Sequence, residues 1–189
     1  MPGDDQLDTV DLRSMLRNAV ASTASEVQRR ARLEVEVDVE AHVRCERSRV
    51  EQLFGRLLLN AGQAIPEGDA AGNEVRVSLR RLTRDRAAIE ITDTGTGIPI
   101  EIHERIFQPF FTTRAVGQGT GLGLSISRAI VSAMGGEISF RPAARRGTTF
   151  RVELPTTTPP TDAGAGRRVP TPGATPQPHE STDSGALAR

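Results

Sequence analysis

The chain contains no lysine; its 24 basic residues are all arginine. That absence removes the commoner nucleotide pockets. A P-loop requires Gly-x-x-x-x-Gly-Lys-Ser/Thr, and a eukaryotic-type protein kinase requires a strand lysine on the phosphates. Cysteine is nearly absent too. Cys45 stands alone, which excludes an internal disulfide and fits a reducing, cytoplasmic compartment. The three histidines, His42, His103 and His179, have no ligand spacing, so no zinc site is expected. Charge of one sign is missing as well: 24 acidic residues balance the 24 basic ones. No global field therefore draws the chain to nucleic acid or to a membrane surface, and neither is expected as a partner. No apolar run approaches a membrane span, and no apolar stretch follows a basic start, so this segment shows neither an anchor nor a signal peptide.

Glycine, by contrast, is concentrated. Asp93-Thr94-Gly95-Thr96-Gly97 closes a strand-like run, and Gly117-Gln-Gly-Thr-Gly-Leu-Gly-Leu124 opens a helix-like one. Read from Gly119, the dinucleotide fingerprint Gly-x-Gly-x-x-Gly fails at Leu124. Two glycine clusters a lid's length apart suggest a nucleotide under a cover, with its phosphates held by main-chain N–H groups at a helix N-terminus. A flexible linker is the bland alternative, and the amphipathic helix that begins at once argues against it.

Periodicity sets the frame. Leu12, Met15, Leu16, Ala19, Val20 and Val27 recur at helical spacing. Val50, Leu53, Phe54, Leu57, Leu58, Ala61, Ala64 and Ile65 form a second stripe, ended by Pro66-Glu-Gly68. A third helix is expected from Leu122 to Met134, with Ile126, Ala129, Ile130 and Ala133 on its inner face and Gly135-Gly136 as its stop. Alternation marks strands at Leu33 to Val39, Val75 to Leu79, Ile89 to Asp93, Glu137 to Arg141 and Thr148 to Leu154. Residues 94–120 lack a period apart from a short helical candidate near 100–107, and a stretch of that length is usually functional. The pattern predicts a two-layer α/β sandwich, with a mixed sheet of about five strands and three main helices on one face. A loose segment over 1–10 precedes this domain at 11–155. A Pro/Thr/Gly-rich tail over 156–189 follows, too poor in apolar residues to fold.

Three polar residues interrupt apolar faces. Asn60 falls on the stripe of the second helix. Asp93 is in phase with Ile89 and Ile91 on the inward face of its strand, and Thr148 with Phe150, Val152 and Leu154. A buried polar group without a partner costs about 1–3 kcal/mol, and a carboxylate more. Taken singly, each is best read as a local turn or cap. Together, beside two glycine clusters, they suit a ligand: a purine amino group for Asp93, and a magnesium ion for the amide oxygen of Asn60.

These residues carry a resemblance. Leu57-Leu-Leu-Asn60-Ala61 with Gln63-Ala64-Ile65-Pro66 resembles the N box of sensor histidine kinase ATP-binding domains, within the GHKL superfamily of Bergerat fold. Asp93-Thr-Gly-Thr-Gly97-Ile98-Pro99 resembles the G1 box, Phe107-Gln-Pro-Phe-Phe-Thr-Thr113 the F box, Gly119-Thr-Gly-Leu-Gly-Leu124 the G2 box, and Gly147-Thr-Thr-Phe150 the last strand. The likeness covers about residues 11–155 and implies an ATP site under a lid over 94–120. It places Asn60 as the catalytic and Mg2+-binding residue and Asp93 on the adenine amino group, assisted by Thr148. It implies further contacts to ATP from Ala64, Gly95, Gly97, Ile98, Thr112, Thr113, Gly119, Thr120, Gly121, Leu122, Gly123 and Leu124. The implied reaction is transfer of the γ-phosphate to a histidine on a separate dimerisation and phosphotransfer domain, whose docking would use Ile102, Ile106, Phe107 and Phe110. A response regulator would lie downstream. The chain departs from the pattern at Arg56, four residues before Asn60, and at Arg114, where lysine often follows the threonines. It also carries no histidine-bearing hairpin. A serine-directed kinase of the anti-sigma type and a non-catalytic nucleotide-binding module stand as alternatives.

Overall fold

A computed structural model describes residues 7–113 and 119–158. Arg114, Gly117 and the tail from 159 onward lie outside the described residues, as do residues 1–6. The chain runs β1 (Asp8–Asp11), α1 (Leu12–Gln28), β2 (Arg32–Glu36), β3 (His42–Cys45), α2 (Arg47–Gln63), β4 (Glu74–Thr83), β5 (Arg86–Asp93), a 3-10 turn (Ile100–Ile102), α3 (Gly123–Ala133), β6 (Glu137–Pro142) and β7 (Thr148–Pro155). Five strands form one sheet in the order β2-β4-β5-β7-β6, with β2 parallel to β4 and every other pair antiparallel. The helices cover one face of this mixed sheet, which is the expected α/β sandwich.

The helical stripes explain the packing. Leu12, Met15, Leu16, Ala19 and Val27 of α1 are buried together with Val50, Leu53, Phe54, Leu57, Leu58 and Ala61 of α2. Gly62 lets these two helices close up, since a Cβ there would sit 3.3 Å from Val27 Cγ2. From the sheet, Val75, Val77, Ile89, Ile91, Val152 and Leu154 point into the same core. The opposite sheet face carries ion pairs instead, among them Arg76 with Glu34 and Glu74, and Arg151 with Glu90 and Glu153. Such exposed pairs contribute little each, but they keep that face wet.

Several local expectations change. Asp8–Asp11 is not loose: it pairs antiparallel with His42–Cys45 in a small second sheet, where Val10 and Val43 are buried. Four-residue strands with one or two inward positions carry too little alternation to be seen in sequence. The domain also continues past Pro155. Thr156 N donates to the Asp85 carbonyl and Thr157 N to that of His42. The β2 strand stops at Glu36, and Val37 turns into the core. The helix expected near 100–107 is a single 3-10 turn followed by irregular turns. On α3 the buried residues are Ser127, Ile130 and Val131, while Ala129 and Ala133 face outward. Ser127 sits inside because its hydroxyl donates back to the Gly123 carbonyl at 2.9 Å and needs no other partner.

Candidate functional site

The register of β5 against β7 builds the floor of the site. Ile91 pairs with Phe150 and Thr92 with Thr149, so Asp93 and Thr148 follow side by side at the strand ends. Both side chains face the helices, at 1% and 3% exposure. Asp93 Oδ1 accepts from Gly95 N at 2.8 Å and from Thr148 N at 3.3 Å. Burial pushes its carboxyl pKa up from 3.8 to about 6, against the pull of those two N–H groups. Both bonds fall on one oxygen, and Asp93 lines the cleft.

Glycine is required where backbone meets backbone. Gly95 lies against the Ala64 carbonyl, which accepts from Thr96 N at 3.0 Å, so the loop after Asp93 is stapled to the C-terminal end of α2. Gly147, at φ +89, presses on the carbonyl of Asp93 from the other side. Gly147→Ala is therefore expected to cost about 2–4 kcal/mol, combining a left-handed backbone with a collision that only backbone movement relieves. Urea unfolding of the variant measures this, and an unchanged midpoint would contradict it.

Across the cleft stand α2 and the N-terminus of α3. Asn60, half-buried on α2, comes close to the first turn of α3: a Cβ on Gly123 would lie 3.9 Å from its Nδ2. Leu122 precedes that turn and brings no capping side chain, so the leading N–H groups of α3 have no side-chain cap of their own. Gly121, at φ +67, packs on the Phe110 carbonyl, so Phe110 and the residue two before α3 lie together. The resulting cleft holds about 480 Å³. Its walls include Ala64, Gly97, Ile98, Thr112, Thr113, Gly119, Thr120 and Leu124 along with Asn60, Asp93, Gly121, Gly123 and Thr148. Gly95 and Leu122 do not line it; one sits behind Asp93 and the other flanks α3.

Other wall residues were not read as contacts to ATP: Ile65, read on the second helical stripe, Ile106, read as docking surface, and Phe150, read in the last strand, supply apolar surface. Arg30, just past α1, reaches the rim: its Nη1 donates to the Ile65 carbonyl at 3.4 Å and its Nη2 pairs with Glu67 at 2.6 Å. Nothing in the α1 pattern marks Arg30, because its placement depends on where α2 ends. Among the described residues lining the cleft, only Arg30 and Asp93 ionise. The expected docking set also divides. Ile102 and Ile106 line the cleft and Phe107 packs on Phe140, with centroids 6.1 Å apart, whereas Phe110 is 76% exposed.

Arg56 does not line the cleft. Arg56→Asn is accordingly expected to leave nucleotide affinity within about twofold by calorimetry, since a cation acting on bound phosphate would be worth more. A tenfold loss would place its guanidinium on the ligand.

A floor carboxylate and, across a cleft from it, a helix N-terminus preceded by glycines mark a nucleotide-binding α/β domain of the ATPase kind. The family model of histidine kinase-, DNA gyrase B- and HSP90-like ATPases matches residues 45–158, more than half of the chain, and the chain belongs to this family. It is similar to the sensor kinase CckA of Brucella abortus, at 40% identity over 123 residues, covering 60% of this chain and 13% of that protein. It is 33% identical over 156 residues to the signal transduction histidine-protein kinase AtoS of Escherichia coli, covering 82% of this chain and 25% of that one. The chain thus spans about a quarter or less of the curated relatives it matches. Among solved structures, the catalytic domain of histidine kinase ThkA superposes with a TM-score of 0.68 at 27% identity, covering 80% of this chain and 100% of that one. The mycobacterial sensor histidine kinase MprB also gives 0.68, at 26% identity and 79% and 97% coverage. The fold recurs in full-length ShkA in complex with AMPPNP, at a TM-score of 0.69, 24% identity, and 81% and 32% coverage.

Proposed function

We infer that this domain binds MgATP in the cleft and donates the γ-phosphoryl group to a histidine on a separate helical hairpin, as the catalytic part of a two-component sensor kinase. The observation that carries this reading is Asp93. It is a buried carboxylate with one oxygen held by two main-chain N–H groups, and it lines a cleft whose walls also take in the N-terminus of α3. The buried end suits a purine with an exocyclic amino group, and the α3 end suits polyphosphate. Thr148 sits beside Asp93 to assist through water.

Magnesium fits this donor set. Among the described residues no cluster of three His, Cys, Asp or Glu side chains exists to cage a metal. The amide oxygen of Asn60, a hard neutral donor, would hold an ion that keeps most of its waters, as Mg2+ does. Such an ion would offset charge on the transferring phosphoryl. The chain's own residues then do three things: Asp93 and Thr148 fix the base, the α3 N–H groups and Gly119 to Gly123 hold the phosphates, and Ile98 and Ile106 exclude water. Phosphoryl transfer relies mainly on such positioning, so the domain needs no nucleophile of its own. With Arg56 rather than a carboxylate four residues before Asn60, no glutamate there activates water, and stand-alone ATP hydrolysis should be slow.

The deciding experiment mixes the domain, γ-labelled ATP and histidine-bearing hairpins from related kinases. Transfer should occur, and the label should be acid-labile and alkali-stable. An acid-stable label would support the serine-directed reading, and binding without transfer to any hairpin would support a non-catalytic module. The response regulator downstream and a cytoplasmic placement belong to the same proposal.

A further inference from the structure

The turn joining β6 to β7 delivers Gly147 and Thr148 to Asp93, and a single side chain fastens that turn from outside. Arg146 Nη2 donates to Asn73 Oδ1 at 2.7 Å and to the Gly72 carbonyl at 3.3 Å. Asn73 is buried at 6% exposure. Its Oδ1 also accepts from Thr94 Oγ1 at 3.1 Å, and its Nδ2 donates to the Asp69 carbonyl at 2.6 Å. Thr94 Oγ1 in turn accepts from Glu74 N at 2.9 Å. One amide therefore joins the three segments that meet behind Asp93: the loop before β4, the residue after β5, and the β6–β7 turn. Arg146 is the turn's contribution to that junction.

The geometry at Asp93 is sensitive to this anchor. Thr148 N reaches Asp93 Oδ1 at 3.3 Å, the longer of the carboxylate's two bonds, so a small outward movement of the turn breaks it. Inward movement has little room, because the space beside Gly147 that a Cβ would take is already filled by the Asp93 carbonyl. Arg146 itself is exposed and does not line the cleft. Any effect it has on a ligand must pass through Asp93 and the Thr148 beside it.

We propose that Arg146 is a positioning residue for base recognition: anchored on Asn73, it seats the Thr148 N–H on one oxygen of Asp93, which leaves the other oriented to accept from a purine amino group. This rests on the reading of the cleft as an ATP site, and the test separates the two. Calorimetry compares ATP with purine riboside triphosphate, which carries hydrogen in place of the 6-amino group. The wild-type chain should prefer ATP by about 10- to 100-fold, the range for a hydrogen bond to a charged group. In Arg146→Ala that preference should shrink by about 3- to 10-fold, with affinity for the analogue nearly unchanged. Arg146→Lys keeps a donor for Asn73 and should restore the preference. Transfer at saturating ATP should be unaffected, since the phosphate end is untouched. Equal losses for both ligands, or an unaltered preference, would overturn the proposal while leaving the ATP reading intact. A wild-type chain that binds both nucleotides equally would remove the proposal, and one that binds neither would remove the ATP reading with it.

Discussion

Replacing Asp93 by asparagine is expected to weaken ATP binding by about 100-fold or more and to invert the preference between ATP and inosine triphosphate. The substitution is nearly isosteric, and the asparagine carbonyl can accept from Gly95 N and Thr148 N as Oδ1 does now. That choice turns the amide NH2 toward the cleft, where it meets the adenine amino group as donor against donor. A 6-oxo purine instead presents an acceptor at the same place. A site built around a hydrogen bond discriminates strongly, because the mismatched group is left buried and unpaired. Calorimetry with both nucleotides on both proteins decides it. An Asp93→Asn variant that still prefers ATP would show that this carboxylate does not read the base.

The same substitution should act in the opposite direction on stability. Burial raises the Asp93 pKa from 3.8 to about 6, so the folded chain holds its proton more tightly than the unfolded chain does. The stability this contributes is complete below pH 4 and is lost as pH rises through 6. At pH 7 to 8 the ionised carboxylate thus costs the unliganded domain up to about 3 kcal/mol, which asparagine does not. Asp93→Asn should melt higher than the wild type at pH 8 and lose that advantage near pH 4. A ligand that donates to the carboxylate offsets the cost, so discrimination for ATP over its des-amino analogue should fade below pH 6. Taking the ratio of the two affinities cancels the titration of their shared phosphates.

What the sequence disclosed, and what it hid, follows from the range of the forces involved. The stripe from Val50 to Ala61 and the alternation at Val75, Ile89 and Val152 are repeated signals, and each became a buried face of the expected element. Asp93 and Thr148 were visible because a polar residue in phase with an apolar face is costly unless something satisfies it. The strand pairing Asp8–Asp11 with His42–Cys45 was hidden, since four residues give too few alternations to register. Arg30 and Arg146 were hidden for another reason. Their partners, Glu67 and Asn73, are set by where distant elements end, and an exposed arginine carries no periodic mark. The buried side of α3 was misread at Ala129 and Ala133, because small residues fit either face, and the inward position went to a serine that satisfies itself.

Asn60→Ala should abolish metal-supported transfer and spare the fold. Asn60 lies one turn before the α2 terminus on an otherwise apolar stripe, and the better helix propensity of alanine offsets part of what the lost amide contacts cost, so the melting temperature should move by only a few degrees. The loss should fall at the phosphate end. The amide stands beside Gly123, where the α3 N–H groups would gather the phosphates, and among the described residues lining the cleft no carboxylate but Asp93 could take its place. Metal stabilisation of transferring phosphoryl is worth several kcal/mol, so single-turnover transfer should fall on the order of 10³-fold. Asn60→Asp keeps an oxygen at the same position and should retain part of the rate, with a steeper preference for low Mg2+ concentrations because the added charge tightens the ion. Affinity for adenosine, which has no phosphate, should be the same in all three proteins. Transfer by Asn60→Ala at the wild-type rate, with the wild-type Mg2+ dependence, would place the ion elsewhere in the cleft and leave Asn60 a residue of packing alone.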